Sequence, residues 1–165
     1  MIEYTVKVYD NGDKHWWLNG KRHREDGPAI ENANGDKHWF LNGNRRRIKM
    51  ANGDNYWYLN DLLHREDGPA VKKADGRKDW YLNGKYHRVD GPAVKWPDGR
   101  KEWYLNGKRH RTDGPAIIHA GGYKEWFLNG EEYTKEEFLK ATQPVKELTI
   151  AEIETLLGHK VKVVK

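Results

Sequence analysis

The chain has 165 residues, enough for one ordinary globular body, and its 33% charged against 36% hydrophobic residues would by themselves favour disorder. Eight Trp, nine Tyr and three Phe exclude that reading, because such rings can supply most of the buried area of a thin fold. The net charge is +5, and the absence of Cys excludes a disulfide framework and a thiolate metal site and fits a reducing cytosol.

The first segment, Ile2 to Val8, alternates apolar and polar residues and lacks the basic and apolar regions of a signal peptide. It is expected to pair as a closing strand. No apolar run approaches the ~20 residues that a membrane span needs, so a soluble, cytoplasmic protein without a span is expected.

A repeat follows. Aromatic pairs, each continued by Leu-Asn, stand at Trp16-Trp17, Trp39-Phe40, Trp57-Tyr58, Trp80-Tyr81, Trp103-Tyr104 and Trp126-Phe127, at first-Trp spacings of 23, 18, 23, 23 and 23. Self-similarity at a fixed period marks a stacked array in which each unit buries its faces against its neighbours. Three turns punctuate a full unit. Asn106-Gly107 predicts a two-residue hairpin turn, which places Leu105 opposite Lys108, Tyr104 opposite Arg109 and Trp103 opposite His110. Asp98-Gly99 reverses the chain before the next aromatic strand, and Asp113-Gly114-Pro115 marks a bend or strand edge. The fold class expected is mainly β: tandem 23-residue antiparallel hairpin repeats over residues 1–130, about six units, with a short helical module over 131–165.

Within each full unit the run His-Arg-x-Asp recurs, at His23 to Asp26, His64 to Asp67, His87 to Asp90 and His110 to Asp113. A catalytic site needs one unique constellation, whereas a turn needs the same residues in every unit. These residues, with Trp16, Trp39, Trp57, Trp80, Trp103 and Trp126, are therefore read as structural: Asp caps the Gly-Pro turn, Arg pairs with a carboxylate, and His packs on the Trp opposite. No metal site, cofactor or enzymatic activity is expected. Asp10 to Asp13 lacks the remaining oxygens of a calcium loop and is read as a turn.

The second unit departs from the rule. It reads Asn44-Arg45-Arg46-Arg47-Ile48-Lys49-Met50, five residues short, and the deletion is expected to disturb the stacking locally. The arginines are either a solvated loop or a site that binds carboxylate or phosphate bidentately. Arg45, Arg46 and Arg47, with Tyr58, Tyr81 and Tyr104 if these face solvent, are candidate partner contacts. Residues 1–130 carry 24 Lys and Arg against 18 Asp and Glu (+6), and residues 131–165 carry 6 against 7 (−1), so the positive charge lies in the array. Carboxylates are mixed through it, unlike a strong basic stripe.

Past Gly130 the pattern changes to helix formers. Thr134 and Glu137 form a capping box that starts a helix from about Lys135 to Ala141, stopped by Pro144, with Tyr133 and Phe138 as its staple. Thr149 and Glu152 repeat the box, Leu148 and Ile153 the staple, and Ile150, Ile153, Leu156 and Leu157 form an apolar stripe ending at Gly158. His159 to Val164 alternates like an edge strand. The module either seals the last hairpin or presents Ile153 and Leu157 to a partner or a second copy.

The run Asn-Gly-Lys-Arg-His followed by Asp-Gly resembles MORN repeats, and Trp-Tyr-Leu-Asn-Gly with His-Arg-x-Asp-Gly-Pro-Ala resembles the divergent MORN-like repeats of large-genome bacteriophages and giant DNA viruses. The resemblance covers about residues 8 to 130 and implies an extended, non-enzymatic scaffold that binds a host protein, for instance as a phage-encoded inhibitor of host defence. The alternative is a nucleotide- or nucleic-acid-binding array using its basic and aromatic residues.

Overall fold

The computed structural model describes residues 3–143 and 148–162; Ile2, Pro144, Val163 and Val164 of the sequence reading lie outside them. Two kinds of turn build every unit, and backbone φ separates them. At Asn106-Gly107 both residues are left-handed, with φ of 52° and 83°. The hairpin they close pairs Tyr104 with Arg109 and Leu105 with Lys108, the expected register. In the third unit Asp61 occupies the glycine position at φ 58°. At the second turn only the glycine is left-handed, as in Gly99 at φ 93°, and the Gly99 N–H donates to the Trp96 carbonyl at 3.2 Å. The dipeptide Asn-Gly thus closes different turns at Asn34-Gly35 and Asn42-Gly43, because only in the latter is the asparagine also left-handed.

The turns alternate along a meander. Lys14–Leu18 pairs on one side with Thr5–Val8; on the other its first half meets Ile30–Glu31 and its second half Lys21–Arg22. Repeating this division produces an open, 15-stranded antiparallel sheet, with the hairpins closed by Asn83-Gly84 and Asn106-Gly107 as two separate two-stranded ribbons beside it. Adjacent Asn-Gly hairpins are stitched by backbone bonds: Arg88 N–H donates to the Tyr104 carbonyl at 3.1 Å and Gly107 N–H to the Tyr86 carbonyl at 2.8 Å. The core is thin. Ala29, Ala70, Ala93 and Ala116 are fully buried beside Ile30, Val71, Val94 and Ile117, and each alanine carbonyl accepts the N–H of the first Trp of its unit or the preceding strand at 2.7–2.8 Å.

Side chains add clamps between units. His87 does not simply lie on its opposite Trp: its Nδ1 accepts the backbone N–H of Asn106, in the turn of the next unit, at 3.2 Å, and His23, His64 and His110 do the same to Asn42, Asn83 and Asn129. Asp13, Asp36 and Asp54 accept the N–H of Ala33, Ala51 and Ala74 at 2.8, 2.7 and 2.8 Å. Asp54 is 7% exposed. The Lys73 ammonium at 2.8 Å and then the Ala74 N–H hold its carboxyl at about 2, well below the ordinary carboxylate value. Because the folded value is depressed, this contribution to stability is complete above the unfolded value of about 3.9 and is lost as pH falls toward 2. Urea unfolding of Asp54→Asn should accordingly show lower stability than the parent at pH 7 and a gap that narrows between about pH 4 and pH 2.

The shortened unit corrects the sequence reading. The five missing residues leave no loop: Asn44–Lys49 runs as one strand between Lys37–Leu41 and Asn55–Leu59, and the expected disturbance is confined to a register shift between Trp39 and Phe40. Where other units make an excursion through His-Arg-x-Asp-Gly-Pro, this one crosses directly, and the odd residue is absorbed as a bulge opposite Trp39 and Phe40.

At the C-terminal end, helix α1 (Lys135–Thr142) and helix α2 (Ile150–Leu157) both start with complete capping boxes. Helix α1 buries Phe138 against Lys124–Leu128 and Glu131–Tyr133 and so seals the last hairpin. Helix α2 buries none of its residues. The edge strand expected from His159 is not formed over His159 to Lys162; instead the Val161 N–H donates to Glu154 Oε1 at 3.0 Å, which ties that segment back to α2.

Candidate functional site

Residues directly opposite one another on paired strands share a face of the sheet, so a register can be followed across the whole array. From the N-terminal edge, Val8 faces Lys14, Lys14 faces Glu31, Glu31 faces Lys37, Lys37 faces Lys49 and Lys49 faces Asn55. The line continues from Asn55 to Lys72, Lys78, Lys95, Lys101, Ile118 and Lys124. A ladder dominated by lysine therefore runs from one end of the sheet to the other, with Glu31 as its one acid. Lys72, Lys78, Lys95 and Lys101 are four in succession. Most of these side chains are exposed, and among the described residues none of the ladder lysines makes an ion pair. Burial first, and then Arg88, Lys101 and Lys78, push the Lys95 ammonium below its ordinary value, an electrostatic mark of this crowding.

The next register line lies on the opposite face and explains the fold's economy. Ile30, Ile48, Val71, Val94 and Ile117 alternate there with His38, Tyr56, Asp79 and Glu102. The buried acids are answered locally: Arg77 Nε lies 2.9 Å from Asp79, and Glu102 meets Arg100 at 2.5 Å and the Tyr104 hydroxyl at 2.7 Å. Two of the acids that counted against a basic stripe in the sequence, Asp79 and Glu102, thus lie buried behind the sheet.

The Trp row borders the ladder on the lysine face. Lys72 and Lys95 ammonium groups sit 5.6 and 5.5 Å from the Trp57 and Trp80 ring centres. Arg24, Arg65, Arg88 and Arg111 cover Trp16, Trp57, Trp80 and Trp103 at 4.1–4.3 Å, and each binds the aspartate two residues on: Asp26, Asp67, Asp90 and Asp113. The Arg side chain packs over the glycine of Asp-Gly-Pro: a Cβ would stand 2.9 Å from the guanidinium carbon at Gly27 and 3.1–3.5 Å at Gly114, Gly91 and Gly68. Between successive loops lies an open groove of about 630 Å3 lined by Arg65, Trp80, Leu82, His87 and Arg88. Its rim is acidic, since Glu66, Asp67 and Asp90 are about four-fifths exposed, at 83, 79 and 81%.

The candidate contacts named from sequence fall in separate places. Tyr58, Tyr81 and Tyr104 lie half-buried on the face opposite the lysines. There Tyr86 is stacked between Tyr81 and Tyr104 at 4.3 and 5.1 Å, and Arg45 lies 5.3 Å from Tyr58. The bulge splits the arginine run. Arg45 joins Phe40 and Tyr58 on the tyrosine face; Arg47 is inserted between Trp39 and Trp57, 4.9 and 5.1 Å from their rings; Arg46 alone is exposed. On α2, Leu157 is exposed with Ile150 and Leu156, while Ile153 is half-buried.

The lysine ladder was missed in sequence because its members are far apart in the chain. A signal existed: Lys14, Lys37, Lys78, Lys101 and Lys124 each stand two residues before the first Trp of a unit. Among the described residues no group of three or more His, Cys, Asp or Glu could hold a metal ion, and no helix is long and apolar enough to cross a membrane. No protein-family model matches the chain, and no curated protein matches it.

Proposed function

We propose that the chain is a non-enzymatic repeat scaffold that binds an extended, negatively charged partner across the lysine face. The ladder carries this reading: like charges placed directly opposite one another destabilise a sheet, so a run of them is a cost that local folding does not explain. The recurrence of a lysine at the equivalent position of five units supports it too, since equivalent positions suit a partner that extends along the array.

Heparin chromatography tests the surface. A variant with Lys37, Lys78 and Lys101 changed to Glu should elute at lower salt than one with Lys21, Lys85 and Lys108 changed to Glu, which alters net charge equally at the tips of the Asn-Gly hairpins. Coincident elution would mean that total charge, and not the ladder, governs binding.

A second reading, docking of a host protein or a second copy on α2, is supported by Leu156 and Leu157, 72% and 54% exposed on a helix with no buried residue. A host protein partner and a role as a phage-encoded inhibitor belong to this reading.

A further inference from the structure

We infer that the lysine ladder is a track for the phosphodiester backbone of a nucleic acid, bound without regard to base sequence. This rests on the scaffold reading above and names its partner.

Charge density is the first reason. Neighbouring strands are about 4.8 Å apart, so Lys72, Lys78, Lys95 and Lys101 present one positive charge per step of that size. A nucleic-acid strand carries one phosphate per about 3.4 Å of helix axis, a comparable linear density. Polypeptide blocks with carboxylates so closely spaced repel themselves and stay disordered, which makes them poorer partners for a flat, pre-formed row.

The surroundings of the ladder supply the second reason. Protein interfaces are depleted of Lys and are anchored by buried aromatic or aliphatic groups. Here the apolar members, Val8 and Ile118, lie near the two ends, and the central run has none. Lysines without apolar anchors suit the release of counterions from phosphates, where an ammonium acts as a point charge.

The sequence independence follows from what covers the rings. Trp57 and Trp80 lie beneath Lys72 and Lys95 and are capped by Arg65 and Arg88, so a base finds no free aromatic face beside the central ladder. The exposed carboxylates of Asp67 and Asp90, close enough to act electrostatically on Lys72 and Lys95, repel phosphates from the loop side and confine the strand to the ladder.

Fluorescence anisotropy tests the assignment with two unrelated single-stranded 20-mers (an arbitrary length of about 20 nucleotides), the duplex of one of them, and a glutamate-rich peptide. The parent should bind both single strands within about threefold of each other, and the dependence of log K on log salt should be steep. In the variant K37Q/K78Q/K101Q/K124Q that dependence should become shallower by about 0.7 per lysine, about 3 in all for a single strand, with affinity at least about tenfold weaker. Circular dichroism of this variant should match the parent, since all four side chains are exposed. Binding of the peptide but of no nucleic acid overturns this assignment while the scaffold reading stands; binding of neither overturns both. An unchanged salt dependence in the variant shows that the phosphates lie elsewhere.

Discussion

Changing Lys78 to Glu should make the protein more stable and a weaker binder of polyanions at the same time. Lys78 lies between Lys72 and Lys95 on the exposed face. The substitution turns two opposed like-charge pairs into two opposite-charge pairs, each worth roughly 0.2–1 kcal/mol. A net gain of about 1 kcal/mol would raise Tm by about 3 °C at low salt and less at high salt, where the charges are screened. Heparin affinity should fall in the same variant. A natural residue that lowers stability and raises binding is the expected trade-off at a working surface. If Lys78→Glu instead destabilises the fold, the lysines have a structural role and the ladder loses its main support.

Arg47→Ala should destabilise the array substantially, and Arg46→Ala should not. Arg47 sits between the Trp39 and Trp57 rings, and its Nη2 donates to Asn55 Oδ1 at 2.7 Å. Two cation–π contacts and a charge-assisted bond on a half-buried side chain together make a loss of about 2–3 kcal/mol. Arg46 is exposed at the bulge, where substitutions usually change stability by less than about 0.5 kcal/mol. Chemical denaturation of the two variants checks this. Equal losses would show that the bulge does not separate the two side chains.

That pair shows where sequence reasoning stops. The hairpin register at Tyr104 to Arg109 and both capping boxes are local, set by turn chemistry and by residues three apart, and they were legible. For the shortened unit a local disturbance was legible, but a solvated loop stayed open because deletion of five residues was judged against the repeat alone. The sheet absorbs it by replacing an excursion with a straight strand, which depends on neighbours on both sides. The bond from His to the next unit's turn was not legible for a related reason: His87 and Asn106 are 19 residues apart and meet only when units stack. The ladder is the extreme case. Glu102 and Lys101 are adjacent in sequence and cancel in any count of charge, but strand alternation sends Glu102 inward to Arg100 and Tyr104 and leaves Lys101 on the surface.

The binding face can be located directly by lysine acetylation followed by mass spectrometry, with and without saturating heparin. Protection of Lys37, Lys78, Lys101 and Lys124, with Lys21, Lys85 and Lys108 still labelled, is the result expected if the ladder is the working surface. Uniform protection, or protection confined to the hairpin tips or to Lys160 and Lys162 beyond α2, would contradict it.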